Sequence, residues 1–149
     1  MENLAAQLRS RGLRNTPQRR AVLLALSRAP HSTAAELASA VEQAARQASG
    51  AQAVAAVDGL SRQGLYNVLA DLTQAGLVQS IEPAGSPARY EVRVGDNHHH
   101  LVCRTCGRIS DVPCAVGAAP CLTPAEHDDF TVDRAEVIWW GTCKDCSPA

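Results

Sequence analysis

The chain has 149 residues, with 14 Lys and Arg against 15 Asp and Glu and a formal net charge of −1, so it is neither a polycation throughout nor an acidic disordered chain. That length allows one ordinary domain, or two small ones that would each gain from a metal or from dimerisation. No positively flanked apolar run opens the chain and no run is long and apolar enough to span a bilayer, which predicts a cytoplasmic protein with no membrane partner and its 6 cysteines reduced, not a secreted disulfide framework.

The balanced total hides an asymmetry. Residues 1–93 carry 10 Arg against 7 acidic groups, whereas residues 94–149 carry 4 basic against 8 acidic groups. Arg9, Arg11, Arg14, Arg19 and Arg20 lie in a stretch with no acidic residue between Asn3 and Ala35. A basic first half followed by an acidic second half predicts a polyanion partner for the first half alone.

Taken in order, Asn3 to Arg11 reads as a short amphipathic helix, with Leu4 and Leu8 one turn apart and Gly12 as its stop. Thr16 and Pro17 are a cap and first-turn pair, opening a helix that points Val22, Leu23 and Leu26 inward and ends at Pro30. Thr33 and Glu36 form a capping box for a third helix through Leu37 and Val41. The Ala-rich run from Ala44 to Ala56 fits either an extension of that helix or a loop near Gly50. Ser61 caps a fourth helix with Leu65, Leu69 and Leu72 on one stripe, closed by Gly76.

Two short strands are predicted next, Val78 to Glu82 and Arg89 to Val94, joined by a turn through Pro83, Gly85 and Pro87. Short helices followed by a hairpin are the pattern of a winged helix, in which the fourth helix would enter a major groove of double-stranded DNA. Arg62, Tyr66 and Asn67 lie on the polar side of that helix or near its start, and Arg14 and Arg19 sit at or just before the second helix, where phosphates can be met. Taken singly, each of these residues equally suits a solvated helix face.

From Asp96 the residues change character. Leu101 and Val102 lead into Cys103-Arg104-Thr105-Cys106, Gly107 to Val112 can continue as a strand, and Thr131 to Trp140 reads as another. Between these lies a polar segment from Pro113 to Asp129, with room for a short helix at Pro124 to Asp128. A second pair, Cys143 and Cys146, follows near the end. Two such pairs suit a closed tetrahedral Zn²⁺ site, since each supplies two sulfurs from one tight turn. A redox dithiol would need only one pair, and an iron–sulfur cluster is the other rival for four thiolates. A small strand-rich half exposes edges, which predicts a symmetric homodimer reading a two-fold symmetric operator.

His98 and His100 are two apart, so on a strand they share a face while His99 takes the other. Glu91 and Asp111 can add carboxylates and His31 a third imidazole, a donor set for Fe²⁺, Mn²⁺, Co²⁺ or Zn²⁺. The bland alternative is a polar surface strand. A hydrolytic metalloenzyme built on these histidines would need an open coordination position and a general base, and no convincing base is present; a zinc-stapled interaction module without DNA is a further alternative.

These residues resemble the ferric uptake regulator family of metal-dependent repressors. The resemblance is carried by Gly12-Leu13-Arg14-Asn15-Thr16-Pro17-Gln18-Arg19, by His31-Ser32-Thr33-Ala34-Ala35-Glu36-Leu37, by Leu65-Tyr66-Asn67-Val68-Leu69 with Gly76-Leu77-Val78, by the stretch from His98 to Gly107, and by Gly141-Thr142-Cys143-Lys144-Asp145-Cys146. It spans nearly the whole chain. The fold it implies is α+β: an N-terminal winged helix-turn-helix DNA-binding domain, residues 1–93, and a small C-terminal α/β dimerisation and metal-sensing domain, residues 94–149, with a structural four-cysteine zinc site.

Carried over by position, the resemblance assigns one structural Zn²⁺ per subunit to Cys103, Cys106, Cys143 and Cys146. It assigns a regulatory Fe²⁺ or Mn²⁺, with Zn²⁺ or Ni²⁺ as in vitro substitutes, to His31, Glu91, His98, His100 and Asp111. DNA contacts fall on Tyr66 and Arg19, with Arg62 and Asn67 as further candidates. A third ion site found in many members would fall on Asn97, His99, Ala118 and Ala135, a set too poor in ligands to hold an ion unaided. Gly64-Leu65-Tyr66-Asn67 also departs from the recognition helix of iron-uptake members, which implies a different operator.

The segment from Asp111 to Gly117, with Cys121, is similar to the actinobacterial subgroup that represses catalase-peroxidase genes. That similarity implies a peroxide-responsive repressor in which iron-driven oxidation of His31 or His98 releases DNA; the alternative is an uptake regulator answering to Fe²⁺, Mn²⁺ or Zn²⁺ level. Cys114 and Cys121 are either a peroxide-labile dithiol or ordinary small loop residues. Either way the chain is expected to be a regulator and not an enzyme.

Overall fold

The computed structural model describes residues 4–47, 60–92, 98–113, 129, 131 and 136–147. The chain divides into two compact units, residues 1–94 and 95–149.

The first unit is helical with a small sheet. Helix α1 spans Leu4–Ser10, α2 Pro17–Arg28, α3 Ala34–Gln47 and α4 Arg62–Gln74. Its strands are β1, Ser32–Thr33, β2, Gln79–Ile81, and β3, Arg89–Glu91. The caps form where the sequence places them. Thr16 Oγ1 accepts the Arg19 amide at 3.3 Å, Ser61 Oγ accepts the Gly64 amide at 3.1 Å, and Thr33 and Glu36 satisfy each other's amides at 2.7 and 3.2 Å. Gly76 closes α4 at φ +65, a left-handed turn that a side chain would strain. Helix α3 reaches Gln47, so the start of the Ala-rich run continues the helix; residues 48–59 lie outside the described set.

Each helix presents one apolar stripe to a common core. Leu8 of α1, Val22, Leu23 and Leu26 of α2, Leu37 and Val41 of α3, and Leu65, Leu69 and Leu72 of α4 are buried together with Val78. Burying a Leu side chain contributes roughly 1.5–3 kcal/mol, and this shared core fixes the angle at which the polar face of α4 is shown to solvent. Strands β2 and β3 pair antiparallel as the expected hairpin, Ser80 opposite Tyr90. One strand was not expected: β1 adds to the far side of β3, giving the order β1-β3-β2, with Ser32 opposite Tyr90 and Thr33 opposite Arg89.

The second unit is a three-stranded sheet of β4, His98–Cys103, β5, Ile109–Pro113, and β6, Ile138–Gly141, in the order β5-β4-β6. Strands β4 and β5 are antiparallel, with His100 opposite Asp111; β4 and β6 are parallel, with Leu101 opposite Trp139. The segment predicted to hold a helix at Pro124 to Asp128 lies outside the described residues, as do Cys114 and Cys121. Among the described residues, no helix is long and apolar enough to cross a membrane.

Candidate metal centres and nucleic-acid face

The four-cysteine cluster lies wholly within the second unit. Cys103 ends β4, and the chain reverses at once: the Gly107 amide donates to the Cys103 carbonyl at 2.9 Å, with Gly107 at φ +71. Near the end of the chain the Cys146 and Ser147 amides turn back onto the Cys143 carbonyl at 3.0 and 2.9 Å. The parallel pairing of β4 with β6, carried on by the Arg104 amide to the Gly141 carbonyl at 2.9 Å, brings the two turns together.

The ligand sulfurs of Cys103, Cys106, Cys143 and Cys146 all lie within 4.8 Å of one another, and Cys106 and Cys143 are 3.8 Å apart. A tetrahedral ion with Zn–S bonds of about 2.3 Å separates its sulfurs by about 3.8 Å, so this spacing fits zinc. The thiol environments point the same way. The Cys143 amide, 3.3 Å from the Cys103 sulfur, is the first cause of a Cys103 pKa lowered to about 6. Hydrogen bonding with the Cys143 and Cys106 sulfurs pushes Cys146 up to about 12. At the surface, Arg108 Nη1 donates to Asp145 Oδ2 at 2.8 Å, linking the chain just before β5 to the second turn.

The proposed regulatory residues are divided between the two units. In the first, His31 Nε2 lies 3.0 Å from Glu91 Oε2. The β1–β3 register accounts for this: with Ser32 opposite Tyr90, one further step sets position 31 opposite position 91. Glu91 is fully buried and His31 nearly so. A buried carboxylate is stable only with a positive partner or a metal at hand, and two cis ligands of an octahedral ion with bonds of about 2.1 Å stand about 3.0 Å apart, so the pair fits a divalent cation. His31 also has φ +61, a left-handed backbone that costs a non-glycine residue about 1–3 kcal/mol.

In the second unit, His100 Nε2 lies 3.6 Å from Asp111 Oδ1 across the β4–β5 ladder. His98, on the same face, sets its ring edge-on to that of His100 at a centroid distance of 5.0 Å. His99 points the other way and packs edge-on against Trp139 at 5.3 Å, 2% exposed. Strand parity thus brings His98, His100 and Asp111 together and sets His99 apart. Of the other positions named for a third ion site, Asn97, Ala118 and Ala135 lie outside the described residues.

The DNA-contact candidates divide. Arg62, Tyr66 and Asn67 are exposed on α4, Tyr66 at 47%, with Gln63 Nε2 donating to Asn67 Oδ1 at 3.0 Å. Beside them a groove of about 620 Å³ runs between α4 and the hairpin, with Tyr66, Thr73, Ser80 and Tyr90 among its lining. Burial first, then the neighbouring Tyr66 and Glu82, push the Tyr90 phenol above its ordinary value, so it stays a hydroxyl donor. Arg14 is exposed, but Arg19 is committed: Nη2 pairs with Asp71 Oδ2 at 2.5 Å and Nη1 donates to the Arg14 carbonyl at 2.8 Å. Asp71 was missed in the sequence, although it is the one acidic residue of α4 and the natural partner for a base on α2.

Comparison with known proteins agrees with this anatomy. The profile described as the ferric uptake regulator family matches residues 10–116. The chain is 52% identical over 143 residues to transcriptional regulator FurA of Mycobacterium tuberculosis, covering 96% of this chain and 89% of that protein. It is 47% identical over 140 residues to ferric uptake regulation protein 1 of Mycolicibacterium fortuitum, covering 94% and 80%. Peroxide-responsive repressor PerR of Staphylococcus aureus is 30% identical over 152 residues, covering 98% and 90%. In fold, the ferric uptake regulator of Helicobacter pylori superposes with a TM-score of 0.65 at 20% identity, covering 99% of this chain and 91% of that one. The chain therefore belongs to the ferric uptake regulator family of metal-dependent transcriptional regulators.

Proposed function

We propose that the protein is a metal-responsive transcriptional repressor of the uptake-regulator kind, binding a two-fold symmetric DNA operator as a homodimer. Fe²⁺, Mn²⁺ or Zn²⁺ level is the signal. His31 and Glu91 of the first unit and His98, His100 and Asp111 of the second are the regulatory ligands, and the four cysteines hold a structural Zn²⁺. When bound, that zinc supplies a closed crosslink with no open position for chemistry.

The observation that carries this reading is the His31–Glu91 pair, 3.0 Å apart, with Glu91 on the third strand of the winged unit itself. A cation held there bears directly on the hairpin beside α4, and further ligands from the second unit would make occupancy set the geometry in which α4 meets DNA. Exposed Arg62, Tyr66 and Asn67 are the proposed base and backbone readers. Arg19 acts in this reading first as a clamp through Asp71 and only then as a phosphate contact.

The peroxide-responsive reading has weaker support. Identity is 52% and 47% to the FurA and ferric uptake regulation proteins and 30% to PerR. One experiment separates the two: anaerobic binding to the protein's own upstream DNA with Fe²⁺, Mn²⁺ and Zn²⁺ in turn, repeated after a peroxide pulse. Metal-dependent binding that survives the pulse supports the uptake reading. Release, with one oxygen atom added to a peptide containing His31 or His98, would replace it by peroxide sensing, and binding indifferent to metal would overturn both.

A further inference from the structure

We propose that Arg89 is a positioning residue that holds His31 in the one backbone conformation from which its imidazole meets Glu91. The inference rests on reading His31 and Glu91 as metal ligands. Strand β1 is only two residues long: its register sets His31 opposite Glu91, but the paired residues are Ser32 and Thr33, and His31 lies just before them. Its φ of +61 is nevertheless one that a histidine leaves unless something restrains it.

Arg89 supplies the restraint. Its Nη1 donates to the His31 carbonyl at 3.0 Å, gripping the peptide unit that follows the strained residue. The same Nη1 lies 3.7 Å from Glu36 Oε2, and that carboxylate is anchored by the Thr33 amide at 2.7 Å and hydroxyl at 2.9 Å. Glu36 also offsets the positive charge, which would otherwise disfavour a cation at the neighbouring ligands. The Arg89 side chain is 20% exposed, and its Nε is buried with no hydrogen-bond partner among the described residues. Arg89 and Glu91 alternate on one strand face, so one short strand carries both a ligand and the group that orients its partner.

The test uses the full-length zinc-loaded protein and Mn²⁺ as the probe, with affinity read by electron paramagnetic resonance and stability by melting of the Mn²⁺-free protein. Arg89→Met is expected to weaken Mn²⁺ binding by roughly 10–100-fold, the usual loss when a group orienting a ligand is removed, while zinc content and melting temperature stay near wild type. Arg89→Lys keeps one donor for the His31 carbonyl and is expected to recover part of that affinity. Unchanged Mn²⁺ binding in Arg89→Met would overturn the proposal. So would a loss that the lysine variant does not relieve and that tracks melting temperature, which would make Arg89 structural. His31→Ala is the control on the underlying reading: wild-type Mn²⁺ binding in that variant would remove His31 from the site, whatever Arg89 does.

Discussion

The two ends of strand β4 have opposite designs. At its C-terminal end Cys103 joins a cluster whose four sulfurs come from two tight turns within one small unit, each turn closed by its own backbone hydrogen bonds. At its N-terminal end His98 and His100 share a face with Asp111 of the neighbouring strand, while the other proposed ligands, His31 and Glu91, belong to the first unit. A local, complete and sulfur-rich set suits an ion bound once and kept. A dispersed set of imidazole and carboxylate suits an ion that comes and goes, because its binding must also order the elements that carry the ligands.

The comparison breaks most visibly at the cysteine end. Cys103→Ser removes one of the four proposed zinc ligands, and sites of that kind contribute apparent binding free energies of about 10–16 kcal/mol at neutral pH, most of which appears as folding free energy. Zinc content should fall to near zero and the second unit should lose its cooperative melting, both measurable by metal analysis and calorimetry. If the variant kept its zinc and its transition, the cluster would not be the staple assigned to it. Zinc held by these four sulfurs would be held as thiolates, so acid should also expel it from the wild-type protein as protons compete for the sulfurs.

At the histidine end the expected loss is smaller and of another kind. His98→Ala and His100→Ala should each weaken Mn²⁺ or Fe²⁺ binding by at least the roughly 10–100-fold that changes to mere supporting groups cost, and metal-dependent DNA affinity with it. Zinc content and folding should be spared. Strand parity sharpens this, because His99 lies between them yet packs against Trp139 on the other face. His99→Ala should therefore lower stability by about 1–3 kcal/mol through lost packing while leaving the metal response intact. Gel shifts over a metal titration, alongside denaturant melts, measure both; a His99 variant that lost the metal response with normal stability would refute the division of faces.

Most of this was legible in the sequence for local reasons. The caps at Thr16, Thr33 and Ser61, the stops at Gly12 and Gly76, and the leucine stripe of α4 all follow from residues within one or two turns of each other. So does the cysteine cluster, whose two turns are each visible as a spacing. What stayed hidden depends on pairing across long separations. The two-residue β1 carries too little pattern to be seen, yet its register with β3 is what sets His31 opposite Glu91. Arg89 to His31, and Arg19 to Asp71, are likewise contacts between residues 58 and 52 positions apart, which no local period announces. The charge of Arg19 is visible in the sequence, and its partner Asp71 is not.

The smallest effect lies within the first unit, at Glu36 of α3. Its pKa is lowered first by the Thr33 amide, against the pull of burial, and then by the Thr33 hydroxyl and Arg89. A carboxylate with a depressed folded pKa contributes stability that is present above its unfolded value, near 4.5, and is lost as pH falls through the folded one. Glu36 is 59% exposed, so solvent screening keeps the ionic part small and the capping box as a whole is worth about 0.5–2 kcal/mol. Glu36→Gln should therefore be less stable than wild type by up to about 1 kcal/mol at pH 7, with the gap closing as both proteins are taken towards pH 3. Urea melts of the zinc-loaded proteins across that range measure the difference. A gap that stayed constant with pH would mean that the charge of Glu36 is irrelevant, and that its contacts with Thr33 and Arg89 act only as neutral hydrogen bonds and packing.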